Sequence, residues 1–488
     1  MGTDVHLEYY FAHQSLLYGW DTSVAHAYNS SIALNIIAPA LGHLVGLENV
    51  FKWVFPVLYS FVPVILYFIF RRFITPAKAF WGVVFFMIIP TFFIEITGIA
   101  KEQIGELFFV LAILSLIDRK YILLVIFGSL TAMSHYSMGF LLVFFLIVYT
   151  VGIPILTKLL HKPSLASLWP LVLAVVAVTT ISGVYLGNVA DGVALKSASY
   201  VGSSYVTNDT DNQFSAISWQ EYLNVTHRDP VVQTALGLDF MNVPSEGKIF
   251  RITQFGIQFL VVVGVLVCIR RRLRAEMVAL VVASCMILLL CVFVPSFTSI
   301  LNPSRFYHIA FFFLPLALLL GADFLFRSHW RYWVAGIATV FFLFSSGFVF
   351  ESLKLTPDSI NVPYSIALSH DRLDIGTKYT EDDRIVAKWL VEQTDLPPIM
   401  ADTYGLLIIQ ERLGLSPLFM LNEEQEFIDN CWLFLRGYNT QTQQITIWLG
   451  AGLRKQISFD EAGLLPLMQN PRILFSSGDS VVLGCGEG

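Results

Sequence analysis

The sequence predicts a polytopic α-helical membrane protein of about ten transmembrane helices, with a small extracytoplasmic α/β domain at its C-terminus. Three observations carry that prediction. Of 488 residues, 56% are hydrophobic and only 14% charged, against roughly 25% charged in an average soluble domain. The apolar residues gather in runs long enough to cross a bilayer, which takes about 20 residues. The last part of the chain, from about residue 351, returns to ordinary soluble composition. A soluble fold of this length could not hide so much apolar surface; lipid removes the difficulty.

The predicted spans are 50–70, 77–95, 103–118, 121–135, 138–158, 168–187, 250–269, 275–294, 306–326 and 332–350. Basic residues orient them. Arg71, Arg72 and Lys78 bracket one connection, and Arg119 and Lys120 the next on the same side. Lys158 and Lys162, then Arg270, Arg271, Arg272 and Arg274, then Arg327 and Arg331 follow. That face is expected to be cytoplasmic. An even number of spans then puts 1–49, 188–249 and 351–488 outside, and with them both termini. Three glycosylation sequons, at Asn29, Asn208 and Asn224, fall in the segments expected outside. Residues 32–47 are apolar but interrupted by Pro39, Gly42 and Gly46, which suits a helix lying along the outer leaflet. The loop 188–249, about 60 residues, is long enough to cover a site. No signal peptide precedes the first motif. Either the chain inserts through its first apolar span or an upstream segment is missing.

Residues 1–350 are therefore expected as the membrane domain, 351–380 as a linker and 381–488 as the outer domain. Within the last, Asp383 to Glu392 and Tyr404 to Leu413 read as helices. Strands are expected at 398–401, 432–435, 445–449, 473–475 and 481–483. Cys268, Cys285 and Cys291 lie in apolar runs, where a small buried thiol is the simple reading. Cys431 and Cys485 lie in the polar tail and could form a disulfide if it is outside. The mild net charge of -6 gives no case for nucleic acid, which calls for a basic face. The sequence contains no Gly-rich phosphate loop, zinc spacing or internal repeat.

Ionisable residues at a membrane face are costly and usually have a reason. Asp4-Val5-His6-Leu7-Glu8 would present all three polar side chains on one face of a strand, or Asp4 and Glu8 on one face of a helix. Two carboxylates with a nearby imidazole suit a divalent cation or a general base; a solvated terminus is the plain alternative. Glu95, Lys101, Glu102 and Glu106 stand at the outer end of two spans. The helix dipole favours acids in the first turn, but Glu106 is a turn deeper and a cap does not explain it. His135-Tyr136-Ser137 forms an outer turn. Asn302 to His308 opens the span 306–326, where Arg305 could bind phosphate bidentately or merely snorkel. Arg251 opens the span 250–269 similarly. Four polar clusters on one outer face are the layout expected of a site for an anionic lipid-linked substrate.

In this order the motifs resemble the C-type-fold (GT-C) glycosyltransferases, membrane enzymes that use polyprenyl-phosphate sugars. Within that superfamily they look closest to a large archaeal family of multi-pass membrane proteins. The resemblance covers most of residues 3–350. Asp4, within Asp4-Val5-His6-Leu7-Glu8-Tyr9-Tyr10, matches the acidic motif of the first outer loop. Ala100-Lys101-Glu102-Gln103-Ile104-Gly105-Glu106 matches the second, and Ser304-Arg305-Phe306-Tyr307 resembles an Arg-Tyr opening of a late span. Leu130 to Tyr136 is similar to a turn that carries Lys-Gly in some relatives, with His-Tyr here. The superfamily's first span has no counterpart. Ala387-Lys388-Trp389-Leu390 and Ala401-Asp402-Thr403-Tyr404-Gly405 are similar to the soluble domain of oligosaccharyltransferase subunits, without their Trp-Trp-Asp-Tyr-Gly signature.

The resemblance implies an outer-leaflet glycosyltransferase, passing a sugar from a polyprenyl phosphate to a lipid-linked glycan or protein acceptor. Asp4 would be the base. Glu8, Glu102 and Glu106 would position the acceptor, and Asp4, His6, Glu8 and Glu102 could hold a divalent metal such as Mg or Mn. Lys101, His135, Arg305 and Arg251 would hold the donor phosphate. Two alternatives stand beside it. A lipid-linked glycan transporter or flippase would place charges near the bilayer midplane, with broken helices. A non-catalytic envelope scaffold would leave the outer acids dispersed.

Overall fold

A computed structural model describes residues 4–159, 168–196, 230–241, 243, 245–271, 273–294, 297, 303–353, 379–414, 418–423, 430–450, 453–469 and 471–485. The chain divides into two compact units. One is Ser15–Tyr364; the other joins Met1–Gln14 to Ser365–Gly488.

The larger unit is helical. Five helices are long and apolar enough to cross a membrane: Leu47–Arg71, Tyr136–Leu159, Trp169–Lys196, Ser245–Arg270 and Ala275–Phe293. Two bent pairs could add one crossing each: Pro76–Met87 with Thr91–Gly98, bent by 61°, and Pro303–Ala310 with Leu314–Ser345, bent by 60°. The described residues thus support five spans, or up to seven, rather than the ten expected. The shortfall has local causes. Ala100–Ile117 carries Lys101, Glu102 and Glu106. Tyr121–Ser134 has only 14 residues, about 21 Å of helix against a core of about 30 Å. The expected spans 306–326 and 332–350 fall within one bent pair.

Both bends sit at proline. Pro90 lacks the N–H that would continue the helix from Pro76–Met87, and its ring disfavours helical backbone at Ile89. Pro315 stands in the first turn of Leu314–Phe326, where no donor is needed and the ring starts a new helix. Elsewhere small residues allow close packing. Gly264 lies against the Ala317 carbonyl, and a Cβ at Gly264 would stand 1.7 Å from that oxygen. The interior is aromatic-rich, with Phe70, Phe86, Phe109, Phe145, Phe312 and Phe313 fully buried.

The basic connections meet at one end of the bundle. Arg72 grips both oxygens of Asp118 at 3.0 Å, and Arg274 donates to the Arg72 carbonyl at 3.0 Å. Asp323 accepts Lys78 at 3.0 Å and Arg271 at 3.6 Å. Glu276 accepts Arg274 at 3.5 Å and Arg119 at 3.7 Å. Lys162 and Arg272 lie outside the described residues.

The smaller unit contains the α/β domain. Strands β1 (Ile399–Ala401), β2 (Leu418–Met420), β3 (Cys431–Leu435), β6 (Ile473–Ser477) and β7 (Ser480–Cys485) form one sheet in the order β2-β1-β3-β7-β6. Pairs β1–β2 and β1–β3 are parallel, while β3–β7 and β6–β7 are antiparallel. Strands β4 (Gln444–Gly450) and β5 (Leu453–Ser458) make a separate hairpin. Alternation along the strands splits the core in two. Leu433 and Leu435 pack with Ile445, Ile447 and Ile457 of the hairpin. Phe434 faces the other way, with Val386 and Leu390 of helix Glu381–Val391 and Ile409 of helix Thr403–Leu413. The first of these helices opens on a Thr380–Asp383 capping box, the second on Asp402, whose carboxylate accepts from the Gly405 amide at 2.7 Å.

Asp402 also accepts from Arg436 at 2.9 Å and Asn439 at 3.0 Å, all buried. Burial is the largest single effect and would lower the Arg436 pKa, but the charge and hydrogen bonding of Asp402, with Tyr379 and Asp383, together outweigh it and the net shift is upward. Cys431 and Cys485 are directly opposite in the β3–β7 register and form a disulfide, with Cα atoms 4.9 Å apart. The expected strands and helices of the tail are present; β2 and β5 were not anticipated. Most of the expected linker lies outside the described residues.

Candidate functional site

In the larger unit the site is built where the helix Ala100–Ile117 begins. Lys101 and Glu102 occupy its first turn and Glu106 the next, so the two carboxylates share one face at i and i+4. Both are fully buried. Facing them is the short helix Pro303–Ala310, which carries Ser304, Arg305 and His308.

Two rungs join these helices. Arg305 Nη1 lies 3.4 Å from Glu102 Oε2. One turn deeper, His308 Nε2 is hydrogen-bonded to Glu106 at 3.1 Å, with both side chains fully buried. Rings of Phe86, Phe312 and Phe92 surround the imidazole at 4.8, 5.5 and 6.3 Å between centroids. A third contact ties the two bent pairs together. Ser304 Oγ donates to Glu95 at 2.7 Å, and Thr91 Oγ1 donates to the Ser304 carbonyl at 3.3 Å.

The rim is cationic and aromatic. Lys101 is buried, with its ammonium 2.9 Å from the centre of the Tyr28 ring. His135 is buried too, and its Nδ1 accepts from the Met138 amide at 3.3 Å, capping the helix that follows. The absence of a side chain at Gly105 admits it: a Cβ there would lie 2.9 Å from His135 Cβ. His135 is close enough to Lys101 and Arg305 to feel both charges. His26 Nδ1 accepts from the Tyr28 amide at 3.1 Å. Burial, and secondarily the Lys101 charge, depress its pKa.

Neither Glu102 carboxylate oxygen nor His308 Nδ1 has a hydrogen-bond partner among the described residues. Leaving such groups buried costs roughly 1–3 kcal/mol each. The site and the basic network of Arg72, Asp118 and Glu276 stand at opposite ends of the bundle. The 18-residue helix Ala100–Ile117 separates them by about 27 Å.

Three expectations change here. Arg251 is 1% exposed and is held by Asp239 at 2.7 Å and by Thr234 at 3.3 Å; its fork is already engaged. Asn29 is buried, with its amide donating to the carbonyls of Asp21 and Val24 at 2.8 and 2.9 Å, so this sequon serves as a loop tie. The sequons at Asn208 and Asn224 lie outside the described residues. Residues Asp4–Tyr18 form a helix, on which Asp4 and Glu8 share a face while His6 turns away. His6 Nδ1 is instead hydrogen-bonded to Glu411 in the smaller unit. Among the described residues no group of three or more His, Cys, Asp or Glu side chains is arranged to hold a metal ion.

Sequence reasoning missed His308 as a site residue, although it stood within the quoted motif Asn302 to His308. Its spacing was the available signal: Arg305 and His308 are three apart and Glu102 and Glu106 four apart, each pair one helical turn.

The model of a family described as "Predicted membrane protein (DUF2206)" matches residues 120–483. The chain belongs to this family. The match takes in the helices from Tyr121 onward, Arg305 and His308, and nearly all of the α/β domain. No curated protein matches the chain.

Proposed function

We propose that this member of the family is a glycosyltransferase of the outer leaflet, moving a sugar from a polyprenyl phosphate to a lipid-linked glycan or protein. The observation that carries the reading is the pairing of Glu102 and Glu106 with Arg305 and His308. Sequence-distant acids and cations converge at one end of a membrane-type bundle, as an anionic lipid-linked substrate requires. The scaffold alternative expects those acids dispersed.

In this reading Arg305, a fifth exposed, and Lys101 take the donor phosphate, with His135 behind them. A guanidinium supplies a rigid fork for phosphate oxygens. Transfer of Arg305 from Glu102 to phosphate would free that carboxylate to receive an acceptor hydroxyl. The acceptor hydroxyl gives its proton to a carboxylate base, which must come within about 3 Å of it. The new bond forms between acceptor oxygen and anomeric carbon, the bond from that carbon to phosphate oxygen breaks, and the acceptor proton passes to that carboxylate base. The Cys431–Cys485 disulfide supports placing the C-terminal domain on an oxidising, outer side.

The two bent pairs favour a second reading. Discontinuous spans meeting at Glu95 and Ser304 are also the build of a lipid-linked glycan transporter. Mass spectrometry of envelope glycans from cells lacking the gene separates the two. A transferase predicts glycans lacking one sugar, restored by the wild-type gene but not by Glu102→Gln. Loss of whole glycans with no truncated species would point to the transporter.

A further inference from the structure

At the basic end of the helical unit, side chains from four helix ends converge. Lys78 stands in the first turn of Pro76–Met87, Asp323 in the last turn of Leu314–Phe326, and Arg331 in the first turn of Trp330–Ser345. Arg271 follows directly on the helix Ser245–Arg270. Asp323 accepts both Lys78 and Arg271. The Lys78 ammonium lies 5.6 Å from the centre of the Trp330 ring, and the Arg331 guanidinium 5.7 Å from the same centre. Arg271 lies 5.8 Å from the centre of the Phe324 ring. Three cations gather about one carboxylate and one indole.

The charges there do not balance. Asp323 answers one of the three cations, while Asp118 and Glu276 are engaged by Arg72, Arg119 and Arg274. Arg331 pairs with no carboxylate among the described residues, nor do the exposed Arg270 and Arg327. Lys78 and Arg331 also occupy first turns, where a cation opposes the helix dipole. An anion seated among these cations would offset both costs. The flank of the cluster is apolar and aromatic. Phe324 and Trp333 are half-exposed, and Trp333 stacks on Phe326 with centroids 4.9 Å apart. Sidedness alone explains cations at this end, but it does not require that they converge on one ring beside exposed aromatics.

We propose that Lys78, Arg271 and Arg331 bind the phosphate of an anionic phospholipid, whose acyl chains lie along the apolar helix faces beside Phe324 and Trp333. Arginine forks and a lysine ammonium are suited to phosphate oxygens, and basic pockets between membrane helices hold anionic headgroups in this way. The helix Ser245–Arg270 is long and apolar enough to cross a membrane, so Arg271, just past its end, stands at headgroup height. That height and the exposed aromatic flank favour a lipid over a soluble phosphate. The site is independent of the transferase reading, which concerns the other end of the bundle.

The test titrates the full-length protein in detergent with phosphatidylglycerol or phosphatidylcholine and counts bound lipid by native mass spectrometry. Wild type should bind phosphatidylglycerol at least about tenfold more tightly than phosphatidylcholine. A cation at the membrane surface contributes roughly a fivefold change in affinity, so Arg271→Gln with Arg331→Gln should weaken binding by about 25-fold. The control pair Lys120→Gln with Lys158→Gln removes the same charge from other connections on this end and should leave affinity within about twofold. Asp323→Asn, which removes the competing carboxylate, should tighten binding by about fivefold, a gain that damage to the fold would not produce. No preference for phosphatidylglycerol in wild type would overturn the proposal. So would equal weakening in the two pairs, which would show only the general field of this end. Displacement of the lipid by inorganic phosphate would assign the cations to a soluble anion and overturn the lipid site.

Discussion

Replacing Cys431 and Cys485 together by serine removes a cross-link between residues separated by 54 positions. Chain-entropy reasoning for a closed loop of that length gives a loss of about 4 kcal/mol. The paired strands should feel it directly, because the cysteines are register partners at one end of the β3–β7 ladder. Opening of that ladder controls exchange of the Leu433 and Leu483 amides, both in the buried core. A 4 kcal/mol loss corresponds to about 1,000-fold faster exchange. The assay is hydrogen exchange with peptide-level mass spectrometry on the full chain, using helix Tyr136–Leu159 as an internal control. Acceleration of less than tenfold at Leu433 and Leu483, with the control unchanged, would refute the reasoning that the bridge holds this sheet.

Other outcomes follow from the larger unit. Glu106→Ala strands His308 without its hydrogen-bond partner among Phe86, Phe92 and Phe312 and should cost about 1–3 kcal/mol. Glu106→Gln keeps an acceptor oxygen and should cost less than half of that; equal losses in thermal unfolding would contradict the rung. Gly264→Leu should prevent close approach to the Ala317 carbonyl and lower the yield of folded protein. A normal size-exclusion profile and melting temperature would count against that packing. The depressed pKa of His26 makes the neutral ring the folded form. Its contribution is therefore complete above the unfolded pKa of about 6.5 and declines as pH falls below that value. His26→Asn, which keeps an acceptor for the Tyr28 amide, should flatten that decline in a pH series of melting temperatures.

Much of the architecture was legible in the sequence because hydropathy and charge act locally. The basic loops around Arg72, Arg119 and Arg274 converge as positive-inside reasoning expected, since each lies next to its own apolar run. The strand at Cys431–Leu435 was readable from its apolar run, whereas β5, rich in polar residues, was not. The count of spans failed for a different reason. Pro90 and Pro315 break helices, and a bent element counts as one crossing where its sequence offers two apolar stretches. The site was half legible. Spacing placed Glu102 and Glu106 on one face, but that His308 answers Glu106 is a pairing across 202 residues, which no local pattern encodes. His6 shows the converse: its sequence offers the same face as Asp4 on a strand, and only the helix turns it toward Glu411.

The central claim is tested most directly by reconstituting the purified protein in liposomes with a labelled polyprenyl-phosphate sugar and a lipid extract as acceptor. Wild type should release the polyprenyl phosphate and move label to a new lipid-linked product. Glu102→Gln and Arg305→Ala should each lower that rate by about 100-fold or more, the range for losing one charged group acting in the transition state. Undiminished transfer in both variants would contradict the account.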